Sequence, residues 1–381
     1  MPALDRDDAA QLRDSVRRFL HEQYGFEWRR ARLGDERVDE AIWTRYADNG
    51  WLALGLPERC GGFGAFADLG CLLEPIGECL VLEPVLAHLV AAGLIACLGT
   101  PGQQDEELAP MIAGERRLVL AIHEPHAHFD PFDWRTVARA TGEGFVLDGV
   151  KSTVVGGAAA HGFLVAARLD DPAGPAVVLR VPAAADGVEV TARRLFDGRR
   201  AADVAFTGVV LPGAARLGSC GADARAALAL MLDVQAAALC AEALGAMRVA
   251  FDLTLDHLKQ RVQFGRPLSH NQALQHRMVD LLVLRRESEA LAAHALRSLD
   301  GPDARRRARA VSSAGMHVGA TAVKVGQECV QLHGAIGTTD ELAASHYFKR
   351  LAAIDLEGGS GRFHARRLQS LLREDLLRET A

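Results

Sequence analysis

Hydrophobic periodicity changes twice along this chain, and those two changes limit what it can fold into more than any other feature. Apolar residues recur at helical spacing up to about residue 115, give way to short alternating runs, and return to helical spacing from about residue 219. The two periods demand different architectures, because a period of about 3.6 lays apolar groups on one stripe of a helix and a period of 2 lays them on one face of a strand. The reading is α+β in three consecutive parts: an N-terminal helical domain over 1–115, a middle antiparallel β domain over 116–218, and a C-terminal four-helix-type bundle over 219–381.

In the first part Leu12, Val16, Phe19 and Leu20 mark one helix, and Ile42, Trp43 and Tyr46 mark another. Pro57 to Gly64 interrupts, and helical patterning resumes from Leu69 to Leu98. The middle part carries strand signals at Leu118–Ile122, Gly144–Gly149, Phe163–Ala167, Ala176–Val181, Gly187–Val190 and Ala202–Val210. Their close spacing suits an antiparallel sheet better than strands separated by crossover helices. The last part reads as long helices through Leu244–Leu258, Leu274–Leu299 and Ala308–Val330, with Gly301-Pro302 between two of them and Gly334–Thr338 before a final helix.

At 381 residues the chain exceeds what one core usually supports, and 49% hydrophobic against 24% charged residues supplies a large interior. A net charge of −6 argues against a nucleic-acid partner. The arginine run Arg305 to Arg309 reads as a solvated helix face, with an anion patch as the alternative. Seven scattered cysteines without CxxC pairs predict reduced thiols, mostly in the core. The first eight residues are charged where a signal peptide needs an apolar core, and no apolar run reaches the roughly 18 residues of a membrane span. The expectation is a cytoplasmic protein without membrane insertion.

Several blocks resemble the acyl-CoA dehydrogenase family, and the resemblance covers almost the whole chain. Trp51–Glu58 followed by Gly61-Gly62-Phe63-Gly64 is similar to that family's N-terminal turn, Gly149-Val150-Lys151 leading to Gly157 to its mid-domain turn, and Phe196–Phe206 to the strand that closes its β domain. The most specific blocks are Arg261–Leu268 with Asn271-Gln272-Ala273, and Gln331-Leu332-His333-Gly334-Ala335-Ile336-Gly337. The resemblance implies FAD as cofactor. It assigns cofactor contacts to Arg261, Phe264, Gln272, Gln331 and Gly334 on a neighbouring subunit's FAD, and to Thr153 and Val155 beside the flavin. The chemistry is apt, since the FAD pyrophosphate is anionic and suits a guanidinium, and its rings are flat and suit an aromatic side chain. Arg261 and Phe264 are expected three apart on one helix face.

Departures from the family pattern cluster at the flavin. Only Glu124-Pro125 survives cleanly in the segment Ala121–His128, and Val155 offers only its backbone where a hydroxyl is usual. His123, His126 and His128 have spacing that a metal could use, but no Cys or second His group completes a shell, so a loop or cleft-lining role is expected and no metal.

The family removes the α-proton of an acyl-CoA thioester with a carboxylate while the β-hydrogen leaves as hydride. Of the family's two positions for that base, one falls on Gln235, which cannot accept the proton, and the other on Glu357, in the turn before the last helix. Ala236 stands where many members carry an arginine, and Phe363–Leu368 is similar to the subgroup acting on bulky or dicarboxylic acyl-CoAs, which often pairs two unlike chains. The leading expectation is an FAD-dependent acyl-CoA dehydrogenase subunit, with Glu357 as base, in a homo- or hetero-oligomer that passes electrons to an electron-transfer flavoprotein. The alternatives are a noncatalytic partner subunit that completes the FAD site of a related chain, and an oxygen-using flavin monooxygenase or oxidase of the same fold.

Overall fold

The structure, a computed structural model, describes residues 2–34, 38–127 and 130–379. Helices α1 (Arg6–Gln23), α2 (Phe26–Ala31), α3 (Glu40–Asp48), α4 (Leu69–Cys79), α5 (Val85–Leu98) and α6 (Pro101–Ile112) come first. Seven strands follow: β1 (Leu118–Ala121), β2 (Val137–Ala140), β3 (Gly144–Val155), β4 (Gly162–Leu169), β5 (Ala176–Pro182), β6 (Val188–Arg194) and β7 (Arg200–Pro212). Then come α7 (Ala222–Gln260), a hairpin of β8 (Val262–Gln263) and β9 (Arg266–Pro267), and helices α8 (Gln272–Ser298), α9 (Ala304–His333), α10 (Ala343–Glu357) and α11 (Gly361–Glu379). The order is helices, sheet, helices, as the periodicity requires.

Packing divides the described residues into two compact units that interleave the chain. One holds the segments 32–66 and 82–235, and so contains the sheet with α3, α5 and α6. The other holds 4–31, 67–81 and 236–381, and so contains α1, α2, α4, most of α7 and everything after it.

In the first unit the strands run β1-β4-β2-β3-β7-β6, with β5 also pairing to β4. The sheet is mostly antiparallel, as the close spacing of the strand signals implies. Two pairs add a parallel component that the spacing does not show, because β1 and β2 both run parallel to β4. They arise where the chain crosses back over the sheet between β1 and β4, a connection that includes β2 and β3. Strand β2 escaped the sequence reading because four residues, Val137 to Ala140, with two of them exposed, give too little alternation. The inward residues Phe145, Leu147, Val154, Phe163, Val204 and Phe206 form the core, and the rings of Phe163 and Phe206 meet edge to face at 6.4 Å. Edge strand β6 is exposed along most of its length and ends in Arg193-Arg194, charges that discourage pairing with another sheet.

In the second unit α9 is the helix on which α8, α10 and α11 pack. Its buried face is made of small residues, and a methyl group at Gly315 or Gly319 would come within 2.5 Å of the His364 ring or 2.3 Å of the Asp355 carboxylate. That close approach sets where α10, and Glu357 at its end, can lie. Asp303 caps the start of α9 by accepting the Arg305 and Arg306 amides. The arginine run is not a free anion patch: Arg305 pairs with Glu374 and Asp375, and Arg309 with Asp375, so it fastens α9 to α11.

Two further expectations change. Helix α7 is long and apolar enough to cross a membrane by length and composition, contrary to the reading that no run reaches that size; 72% of its apolar window is buried within the protein, as in a core helix. All seven cysteines are free, with Cys71, Cys240 and Cys329 buried, but Cys97 is exposed.

Candidate functional site

The segment Arg261–Pro267 is not helical. Helix α7 stops at Gln260, and Val262 and Gln263 pair with Pro267 and Arg266 around a two-residue turn, Phe264-Gly265. Both turn residues have positive φ, 53° and 77°, the requirement of a tight hairpin turn of the type that Asn-Gly usually fills. Arg261 and Phe264 therefore do not share a helix face. Phe264 is 100% exposed, and Val262 54%. An aromatic residue in the left-handed region costs roughly 1–2 kcal/mol, and here it gains no burial in return. Arg261 is exposed beside it, and a methyl group at Gly265 would meet nothing within 4 Å.

The hairpin is tied to the elements carrying the other expected cofactor contacts. Arg266 donates to the Asn271 side chain at 3.0 Å, directly before the exposed Gln272 that begins α8. His257, four residues before Arg261, lies against His333 with ring centres 4.5 Å apart and planes tilted by 31°. His333 follows the exposed Gln331 by two residues and precedes Gly334, whose φ is 72° and whose surroundings are open. Burial, and then the charges of His333 and Arg261, push His257 down from its ordinary value. The structure thus brings the ends of α7 and α9 together and gathers Arg261, Phe264, Gln272, Gln331 and Gly334 within one unit. The pairing of His257 with His333 was not legible in sequence, since His257 lies four residues before the Arg261 block and His333 stands inside a block 70 residues further on.

The other expected flavin contacts lie in the sheet unit. The mid-domain turn expected at Gly149–Gly157 is instead the continuation of β3 through Val155. Gly149 is needed there because Thr136 presses on it, with Oγ1 2.4 Å from where a Cβ would stand. Lys151, which looked like a turn residue, is fully buried: its Nζ donates to Glu124 Oε1 at 2.7 Å and to the Ile122 carbonyl at 3.3 Å, and lies over the Trp134 ring. Glu124 also accepts the amides of Arg135 and Thr136 and the Thr136 hydroxyl at 2.6 Å. Burial pushes Lys151 down to about 8 against the pull of Glu124. Burial likewise raises Glu124, but the ammonium and the hydrogen bonds overcome it and hold the carboxyl below its usual range. Glu124 is thus a structural anchor.

Beyond Lys151 the register with β7 skips until Val154, and in that bulge Thr153 adopts φ 53° with its side chain exposed. A β-branched residue there is rare. Its amide donates to Asp203 Oδ1 at 3.0 Å. Val155, half-buried, pairs with Ala201. His123 presents its backbone carbonyl to the Ser152 amide at 2.9 Å, and burial, followed by the Lys151 charge, pushes its imidazole down to about 4. His126 lies 3.7 Å from Glu124 and 3.6 Å from Asp133. His128 is outside the described residues, and among those described no group of His, Cys, Asp and Glu is arranged to hold a metal.

Glu357 is the last residue of α10, ahead of the Gly358–Ser360 turn and not within it. Its carboxylate accepts Arg350 Nη1 at 2.8 Å, seven residues back on the same helix, and its side chain is 13% exposed. Arg350 in turn grips the fully buried Glu242 of α7 with two hydrogen bonds, 2.7 and 3.0 Å. Gln235 and Ala236 occupy α7, half-buried and buried. Chemically, Glu357 is a partly accessible carboxylate with a guanidinium attached.

Comparison with known proteins follows the same lines. Family models described as the acyl-CoA dehydrogenase N-terminal and C-terminal domains match residues 6–115 and 224–370, together well over half of the chain. Acyl-CoA dehydrogenase FadE27 of Mycobacterium tuberculosis is 28% identical over 338 residues, 86% of each chain. A solved structure of a variant of the Tcur3481-Tcur3483 steroid ACAD is similar at 28% identity and a TM-score of 0.88, covering 97% of this chain and 99% of that one. A glutaryl-CoA dehydrogenase of Mycobacterium smegmatis in complex with FADH2 shares the fold at 22% identity and a TM-score of 0.86, covering 97% and 95%. The chain belongs to the acyl-CoA dehydrogenase family.

Proposed function

We propose that this chain is a subunit of an FAD-dependent acyl-CoA dehydrogenase that converts an acyl-CoA thioester to its 2,3-enoyl-CoA and passes the electrons to an electron-transfer flavoprotein. The observation that carries the reading is the Phe264-Gly265 hairpin. A strained, fully exposed aromatic beside an exposed arginine has no use for its own chain and suits a flat, anionic ligand presented by a neighbouring subunit. The residues fit FAD: Arg261 offers a guanidinium to the pyrophosphate, Phe264 a face to a ring, and Gln331 and the open backbone at Gly334 amide contacts.

Bound FAD would accept the hydride leaving the β-carbon. The work of this chain is to bind, orient and take the proton. Glu357 receives the α-proton, and Arg350 holds its carboxylate in one rotamer while remaining neutralised by Glu242. Thr153 and Val155 are the residues that would line the flavin. The small Ala236 leaves room for a bulky acyl chain, and the similarity to a steroid ACAD supports ring-containing acyl groups over short straight ones.

One observation favours a second reading, a noncatalytic partner subunit. Gln235 cannot act as a base, and Glu357 is already engaged by Arg350 at 2.8 Å. Such a chain would lend its hairpin to a catalytic partner and turn over nothing itself. The deciding experiment purifies the chain alone, records its flavin absorbance, and assays straight, branched and ring-containing acyl-CoAs before and after Glu357→Gln. Activity that collapses in the variant supports the first reading. Bound flavin with full activity in the variant removes Glu357 as base, and an inactive wild type that restores activity to a second chain establishes the partner role.

A further inference from the structure

We propose that Asp203 is a positioning residue, whose carboxylate holds Thr153 in the left-handed conformation that presents its side chain to the flavin. The inference rests on the reading of the chain as a flavoprotein subunit, and it adds a residue to which neither the family motifs nor the comparisons assign a role.

Both neighbours of Thr153 are fixed by other means. Lys151 is pinned inside the sheet by Glu124 and the Ile122 carbonyl, and Ser152 donates its amide to His123 at 2.9 Å. Val154 resumes pairing opposite Ala202 with its side chain buried. The step between them passes through Thr153, where the ladder to β7 is broken and the amide has no strand partner. Asp203, on β7, supplies what the ladder lacks: Oδ1 accepts that amide at 3.0 Å, while Oδ2 accepts Arg193 Nε from β6 at 3.0 Å. The arginine fixes the carboxylate, and the carboxylate fixes the amide.

The residue type is what makes this functional and not only a patch on a bulge. Glycine or asparagine takes up a positive φ with little strain, and threonine does not. A bulge that needed only to bend the strand would be served by glycine, as at Gly149, earlier on the same strand and also beside a shift in register. Keeping a hydroxyl and a methyl at φ 53°, exposed, makes sense when something outside the sheet touches them.

The test measures FAD affinity, from the visible flavin band on titration, and apoprotein melting temperature for the wild type, Asp203→Ala, Asp203→Asn, Thr153→Gly and the double variant Thr153→Gly/Asp203→Ala. Loss of a charged acceptor predicts an FAD Kd raised about tenfold in Asp203→Ala. Asparagine keeps an acceptor oxygen and recovers most of that loss. Thr153→Gly melts higher than the wild type, binds FAD more weakly, and no longer responds to removal of Asp203. The inference is overturned if wild type takes up FAD and Asp203→Ala binds it equally well, or if the losses in the double variant simply add. A wild type that takes up no FAD overturns the flavoprotein reading itself, and the inference with it.

Discussion

Arg350 donates to Glu357 at 2.8 Å while its other nitrogens grip the fully buried Glu242 at 2.7 and 3.0 Å, so one guanidinium serves two carboxylates. The two bonds are unequal in consequence. Replacing Arg350 by Met takes from the buried Glu242 a guanidinium that holds it with two hydrogen bonds, which costs about 3–5 kcal/mol. Replacing Glu357 by Gln leaves the buried pair whole and costs about 1 kcal/mol. Urea unfolding of the two variants checks the contrast.

The protein should lose stability in mild acid through the buried His88 and the half-buried His123. His88 is fully buried, with Nε2 3.1 Å from the Met111 carbonyl, and burial pushes it down to about 4, as it does His123. Because the folded values lie below the unfolded value of about 6.5, the unfolded chain takes up protons first. The stabilisation is complete above about pH 6.5 and is lost as pH falls toward 4, at up to about 1.4 kcal/mol per pH unit for each histidine. Melting temperatures across that range, with His88→Gln flattening the slope, are the measurement.

Gly315 and Gly319 let α10 and α11 approach α9, with side-chain atoms 2.5 and 2.3 Å from where a methyl would sit. Gly319→Ala must push Asp355 aside and should cost about 1–3 kcal/mol. Because Asp355 lies two residues before Glu357, turnover should fall further than stability alone explains. Comparing kcat with the folded fraction at assay temperature separates the two effects.

The architecture was legible because apolar period survives in long elements. Leu12, Val16 and Leu20 lie in α1, with Val16 and Leu20 buried, and Phe163 and Phe206 meet in the sheet core. What escaped was decided by tertiary contacts. Lys151 reads as a turn residue until Glu124, 27 positions away in sequence, is brought under it by the fold. The Arg261–Gly265 block was recognisable as a motif, but its hairpin was not, since Phe-Gly is a poor local signal for a turn with two positive φ values. The turn before the last helix was legible in Gly358-Gly359-Ser360, but Glu357 itself ends α10 and does not stand in the turn.

The strained Phe264-Gly265 turn yields a prediction opposite in sign for fold and function. Phe264→Asn creates the Asn-Gly pair such a turn prefers and should stabilise the isolated chain by up to about 1 kcal/mol. Flavin retention in the oligomer should fall in the same variant. A rise in melting temperature with unchanged flavin content would mean that Phe264 serves no ligand.

Whether the hairpin serves FAD is decided by FAD titration of the purified oligomer, comparing wild type with Arg261→Ala at matched oligomeric state. The wild type should take up FAD saturably and the variant should lose most of that affinity, because the guanidinium beside the hairpin meets the pyrophosphate. Uptake that is unchanged in Arg261→Ala, or no uptake by an intact wild-type oligomer, would contradict it.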